Sequence, residues 1–244
     1  MRRLLWRLYA PFVPIVAWLA KLPFRLGGRP WRAYERSGLV PVPLHFYHPY
    51  PREDDPGLDP TPGAYDDPER RPLGERCLFG FGSTSGPPAL PVLYNNLHQI
   101  VQTRDSIMIL NEMDHDARII RMNQPHLPAT VRKWMGDSIG RWEGDTLVVD
   151  TTNFTEKTRF RGSTDQLHVI ERFTRVDGKT LLYRFTVEDP ATWAQPWTGE
   201  YTWPSTDTQL FEYACHEGNY ALGNILRGAR QRDAEEAAKR GGNR

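Results

Sequence analysis

The chain predicts a mainly β fold, either an antiparallel up-and-down barrel of lipocalin-like form or a curled sheet with short peripheral helices. Two patterns carry that expectation. From Tyr94 onward apolar residues recur with a period of two, and turn signals interrupt them at short intervals, the mark of half-buried strands joined in sequence. A third observation favours curling or closure: about eight such strands laid side by side would otherwise leave two long unpaired edges.

In chain order the strands fall on "HQIVQT", "SIMILNEM", "HDARIIRM", "GRWEG", "TLVVDTTNF", "LHVIERFTRV", "TLLYRFTVED" and "WTGEYTW". "TRDS" and "EGD" mark two of the joints. "VDGKT", with Asp-Gly at its centre, is a hairpin turn. Between the third and fourth strands "PATVRKWMGDS" predicts a short helix opening at Pro128, since proline fits a first helical turn. The end, "NYALGNILRGARQRDAEEAAKR", predicts a frayed helix, weakened by Gly223 and Gly228, followed by a charged tail.

The remaining chain divides by composition. Residues 1–36 are basic and apolar, residues 37–93 form a Pro/Gly-rich linker or wrap, residues 94–229 hold the β domain and residues 230–244 the tail. Basic residues Arg2, Arg3, Arg7, Lys21, Arg25, Arg29 and Arg32 precede the first acid, Glu35, and surround the apolar run "YAPFVPIVAWLA". That pattern suggests a leader, or contact with a membrane surface through residues 1–32. It favours an exported or inner-membrane-associated location over a cytoplasmic one.

Net charge is +1 with both signs mixed along the chain, so no basic face is available for nucleic acid. Cys77 and Cys215 form one disulfide if the chain is exported, or remain two buried thiols in a reducing compartment. There is no G-x-S-x-G elbow, P-loop or G-x-G-x-x-G, and no cofactor is expected. No metal site is expected either, because His115, His168 and His216 lack ligand spacing.

Alternation sorts the side chains into faces. Continued through "SIMILNEMDHDARII", it puts Ile107, Ile109, Asn111, Met113, His115, Ala117 and Ile119 inside and Glu112, Asp114, Asp116 and Arg118 outside. In the later strands Thr151, Asn153 and Glu171 fall on inner faces. An inward carboxylate needs a partner or a raised pKa. The expectation is therefore acid/base chemistry, with His115 as base, Glu171 as acid or orienting partner and Asn111 steadying a polar ligand group.

Thr151, Asn153, Arg161 and His216 would bind the ligand, a small apolar or planar molecule suited to an aromatic rim. The reaction would be a hydrolysis, hydration or elimination. Two alternatives accompany this reading. The same shape could bind without chemistry, or serve as an envelope structural protein tethered by its N-terminus; for the inward residues themselves the alternative is structural, Glu171 pairing with an arginine such as Arg118 or Arg161 and His115 being a hydrogen-bonded core histidine.

The motifs "YNNLHQIVQT", "ILNEMDHDARII", the run from "WMGDSIGRWEGDTLVVDTTNF" to "ATWAQPW", and "EYACHEGNY" resemble a large family of usually exported bacterial proteins that has no assigned reaction. The resemblance covers about residues 75–229. It implies an exported, β-rich architecture and contributes no mechanism. "SGLVPVPLHFYHPYP", residues 37–51, looks like the opening segment of certain S-adenosylmethionine-dependent methyltransferases, but no glycine-rich cofactor loop follows it.

Overall fold

The computed structural model describes residues 6–9, 63–80, 85–91, 94–158 and 160–241. The predicted leader outside residues 6–9, the methyltransferase-like segment and the first part of the proline-rich stretch lie outside the described residues.

One mixed, mostly antiparallel sheet runs in sequence order through β1 (Trp6–Tyr9), β2 (Leu97–Gln102), β3 (Ser106–Asn111), β4 (Ala117–Met122), β5 (Asp137–Glu143), β6 (Thr146–Thr152), β7 (His168–Arg175), β8 (Thr180–Glu188) and β9 (Trp197–Pro204). Strands β2–β9 curl into a half-barrel. All eight coincide with strands read from alternation. Among the described residues one α-helix, α1 (Tyr220–Gly241), follows the sheet. Among the described residues no helix is long and apolar enough to cross a membrane.

The meander is broken once. β4 and β5 pair in parallel, Ile120 opposite Ser138, so residues 123–136 must carry the chain back along the sheet before β5 begins. This crossover contains no helix, contrary to the expectation at Pro128. Its backbone is committed elsewhere: Lys133 N–H donates to Asn153 O at 3.0 Å, and Lys133 O accepts from Thr155 N–H at 3.1 Å. Those groups are then unavailable for i to i−4 bonds.

The concave face holds the core. Ile107 and Ile109 of β3, Ile120 of β4, Leu147 and Val149 of β6, Val169 and Phe173 of β7, Tyr183, Phe185 and Val187 of β8 and Trp203 of β9 form one buried cluster. Gly199 belongs to this packing. A Cβ there would lie 2.3 Å from the Phe185 ring, so only glycine lets the ring rest on the neighbouring strand.

Residues 85–90 of the proline-rich wrap close over the core. Ala89 and Leu90 are buried, Ala89 N–H donates to Tyr183 Oη at 3.0 Å, and Tyr201 Oη–H donates to Ala89 O at 2.6 Å. Two tyrosines thus satisfy the main chain of a segment that has no ladder of its own.

The other part of the wrap, residues 63–80, is fixed to the C-terminal segment. Cys77 and Cys215 form a disulfide across 138 residues of sequence. Asn219 caps α1 by accepting from Leu222 N–H at 3.2 Å, and its Nδ2 donates to Glu75 O at 2.8 Å. The helix then continues without a break past the expected start of the tail at residue 230.

Candidate functional site

The β3–β4 hairpin decides where the charges of "NEMDHDAR" go. Asn111 N–H closes the turn on Asp116 O at 2.8 Å, and Ile109 pairs with Arg118. An odd residue of β3 therefore faces the same side as an even residue of β4. Asn111 is buried on the inner face as expected, but Arg118, Ile120 and Met122 turn inward, while Ala117 and Ile119 are exposed. His115 is exposed too. A turn at residues 112–116 interrupts the alternation, and a single-residue change of phase exchanges the faces.

Inside the sheet the inward polar groups satisfy one another. Arg118 donates two parallel hydrogen bonds to Glu171, one of them 3.1 Å from Nη2 to Oε1. Tyr183 Oη–H donates to the same Oε1 at 2.8 Å. Glu171 is 0% exposed. Its partners are those of the ion-pair alternative, and His115 is not among them.

Beside this pair His98 Nδ1 lies 2.7 Å from Asn111 Oδ1, and its ring stacks on Trp203 at 4.4 Å. Burial depresses the His98 ring to about 4, outweighing the Asn111 hydrogen bond that raises it. The interior therefore holds a neutral histidine. Thr151 is also buried, sharing a 2.9 Å hydrogen bond with Ser138.

Other expected ligand-binding residues are dispersed. Asn153 anchors the crossover, its Nδ2 donating to Leu127 O at 3.0 Å. Arg161 is half-buried at a left-handed position in the turn Phe160–Gly162. His216 is exposed, in the turn after Cys215.

One group of titratable side chains gathers on the hairpin turn. Asp114 (φ 55°) and His115 (φ 52°) are successive left-handed residues, a conformation that costs a non-glycine residue roughly 1–2 kcal/mol. Strain of this kind persists only where the surroundings over-determine it. Here they do. Buried Glu112 accepts from Asn95 Nδ2 at 2.7 Å and from Phe211 N–H at 3.0 Å, and His115 Nε2 accepts from Tyr213 N–H at 3.2 Å. The C-terminal strap, residues 205–219, is thereby sewn to the turn.

That hydrogen bond fixes the neutral His115 tautomer with its proton on Nδ1. Asp116 accepts from Ser85 Oγ–H at 2.9 Å. Burial pushes its carboxyl up to about 7, the hydrogen bonds from Ser85 and the Gly80 main chain pull it down, and the charge of Asp114 raises it further. Asp114 is itself raised by burial, against the pull of His115 and His216, and its buried Oδ1 has no hydrogen bond.

Aromatic rings border the turn, Tyr94 and Phe211 exposed and Tyr213 half-buried. Tyr94 and Tyr213 stack with centroids 6.1 Å apart, and Phe211 is 62% exposed. A carboxyl raised to about 7, a second carboxyl raised by burial and an imidazole N–H can together move protons to and from a molecule resting on those rings. Among the described residues no group of three or more His, Cys, Asp and Glu side chains is arranged to hold a metal ion.

Alternation alone does not single out Asp114, Asp116, Ser85 or Tyr213 as site residues. The crowding of Asp114, His115 and Asp116 in three consecutive positions is the signal that points to them, and a continuous strand through those positions hides it. Comparison with known proteins found no matching family model, curated protein or solved structure. Fold and site define the class directly, as a disulfide-linked half-barrel with a polar turn at its rim.

Proposed function

We propose that the protein is an exported enzyme acting on a small, largely apolar or planar molecule by cofactor-independent acid/base chemistry, at the rim turn instead of inside the sheet. Asp116 gives and takes the proton, Asp114 sets its charge environment, His115 presents Nδ1–H to a polar group of the substrate, and Tyr94, Tyr213 and Phe211 hold the apolar part. The observation that carries this reading is the half-buried Asp116 carboxyl, raised to about 7, on a strained turn whose His115 is exposed. Perturbed carboxyls in such settings mark functional sites.

The packed interior supports the rim as the location, because Glu171, Tyr183 and Trp203 are fully buried and ion-paired or stacked. Export is supported by the Cys77–Cys215 disulfide, which a reducing cytoplasm disfavours.

The test is a turnover screen over planar esters, epoxides and β-elimination substrates, with wild-type protein beside Asp116→Asn and His115→Gln. Turnover that follows a pH profile centred near 7 and falls about a hundredfold or more in Asp116→Asn is expected for a positioned acid or base. Binding without turnover, seen as shifts of the Tyr94 and Tyr213 ring signals, would replace the enzyme by a binding protein. Turnover indifferent to Asp116→Asn would remove the proposed site.

A further inference from the structure

The rings of His98 and Trp203 stack at 4.4 Å with 14° between their planes. They come from β2 and β9, the two ends of the half-barrel, so the stack bridges its open side. Trp203 is 0% exposed, and its Nε1–H has no hydrogen-bond partner among the described residues.

The surrounding rings offer no substitute. Phe173, Tyr183 and Tyr201 pack around Trp203 with centroids 5.7, 4.8 and 6.1 Å away, and an aromatic face is a much weaker acceptor than an oxygen. The hydroxyls of the two tyrosines are committed to Glu171 and to Ala89 O. A buried donor left in that state costs its full desolvation. In native proteins such a group signals a bound water, ion or functional role.

His98 supplies the complement. Asn111 Nδ2 donates to Ser85 O, which turns Asn111 Oδ1 toward His98 Nδ1, 2.7 Å away. An amide oxygen can only accept, so Nδ1 carries the ring's proton and Nε2 its lone pair. Burial and the charge of Arg118 keep the ring from taking a second proton, against the Asn111 hydrogen bond. Asn111 is the ring's only hydrogen-bond partner among the described residues.

A free donor and a free acceptor therefore lie on two stacked rings. A carboxylate would turn a lone pair on Nε2, and an ammonium would turn a proton on the indole N–H. Either would also bring a net charge into an apolar surround where Arg118 and Glu171 already pair with each other, at a heavy desolvation cost. A neutral hydroxyl matches both groups, its oxygen accepting and its proton donating.

We propose that Trp203 and His98 form an internal site for one hydroxyl oxygen, which accepts from Trp203 Nε1–H and donates to His98 Nε2. The hydroxyl belongs to a buried water, for which two polar partners suffice, or to a small phenol-like molecule whose ring lies among the aromatic side chains. The site goes beyond the reading of the rim turn, uses none of its proposed catalytic or binding residues and stands if that reading fails.

The experiment is NMR of the wild-type protein, disulfide intact, at about pH 7, above the ordinary histidine range. In the free protein a buried water predicts an Nε2 shifted by an accepted hydrogen bond and a dipolar cross-peak from the Trp203 indole proton to water. A ligand hydroxyl predicts that the indole proton and Nε2 move only when phenol is added. Toluene, the same size of ring without the O–H, should have no effect. A protonated Nε2, or an indole proton that shows no water cross-peak and answers phenol no more than toluene, overturns the site. Trp203→Phe keeps a ring on His98 and removes the donor. It should weaken phenol binding about tenfold, the effect of one lost hydrogen bond, or in the water case return Nε2 to the shift of a free lone pair. A variant that changes neither also overturns the site. If the variant does not fold, the wild-type spectra decide.

Discussion

Arg118 of β4 and Glu171 of β7 are bonded to each other, although two strands, β5 and β6, separate theirs in the sheet. Such a pair can form only because the sheet curls, and once formed it ties the curl across its concave side. Removing one partner leaves the other charged and buried, at a cost of about 3–5 kcal/mol. Glu171→Gln and Arg118→Met are each expected to lower unfolding free energy in urea by that amount. The double variant, Arg118→Met with Glu171→Leu, should cost less than either single change, because no buried charge remains. Single variants within about 0.5 kcal/mol of wild type, as at an ordinary surface site, would show that the pair does not brace the curl.

His98 and Asp116 make stability depend on pH in opposite directions. The His98 ring is depressed to about 4 in the fold, so its contribution is fully present above the ordinary histidine value of about 6.5 and is lost as pH falls toward 4. The Asp116 carboxyl is raised to about 7. The unfolded chain ionises it near its ordinary value, so stability falls as pH rises from about 4 to about 7.

The two nearly offset each other in the wild type, and substitution should expose each. Asp116→Asn should become acid-sensitive, losing up to about 3 kcal/mol between pH 7 and pH 4. His98→Gln should instead gain stability on acidification over the same range. Denaturation midpoints across that range check both, and a flat profile in both variants would contradict the assignments.

The strands were legible because one face of each is buried and the other is not, which imprints a period of two on the sequence. "TLLYRFTVED" has Tyr183, Phe185 and Val187 buried, as its alternation requires. The site was less legible. Periodicity holds only within a strand, and the left-handed Asp114–His115 turn resets it, so that His115 points outward and Arg118 inward.

Nor does "PATVRKWMGDS" reveal that its backbone will pair with residues 153–155, which are distant in sequence. Long-range pairing overrides local helix propensity there. The ion pair of Glu171 with Arg118 was legible as chemistry, since an inward carboxylate demands a partner. Which arginine would supply it depended on the phase of β4.

Asp114 offers a separation of stability from function. Glycine adopts its conformation at no steric cost, so Asp114→Gly should stabilise the fold by about 1 kcal/mol, the left-handed strain less glycine's greater entropy in the unfolded chain. The same change removes the carboxylate that helps raise Asp116, and the Asp116 titration should move downward in a carboxyl NMR experiment. A variant that is stabilised but has an unmoved Asp116 would uncouple the two carboxyls. Destabilisation would mean that the turn needs the Asp114 side chain for its own conformation.

The disulfide lies where it controls both the fold and the rim. Closing a loop of 138 residues removes entropy from the unfolded chain worth at most about 5 kcal/mol, with typical measured effects of about 2–4 kcal/mol. Cys77→Ser with Cys215→Ser should therefore lower the unfolding free energy by about 2–4 kcal/mol. The local consequence is more specific. Without the link, the strap is held at the rim by its contacts to Glu112 and His115 and by the Asn219 bonds to residues 75–77. The amides of Phe211 and Tyr213 should exchange faster than those of β6 and β7 under mild reduction, before the sheet unfolds. Uniform acceleration of all amides would show instead that the strap opens only with the whole protein, and that the rim turn is as rigid as the core beneath it.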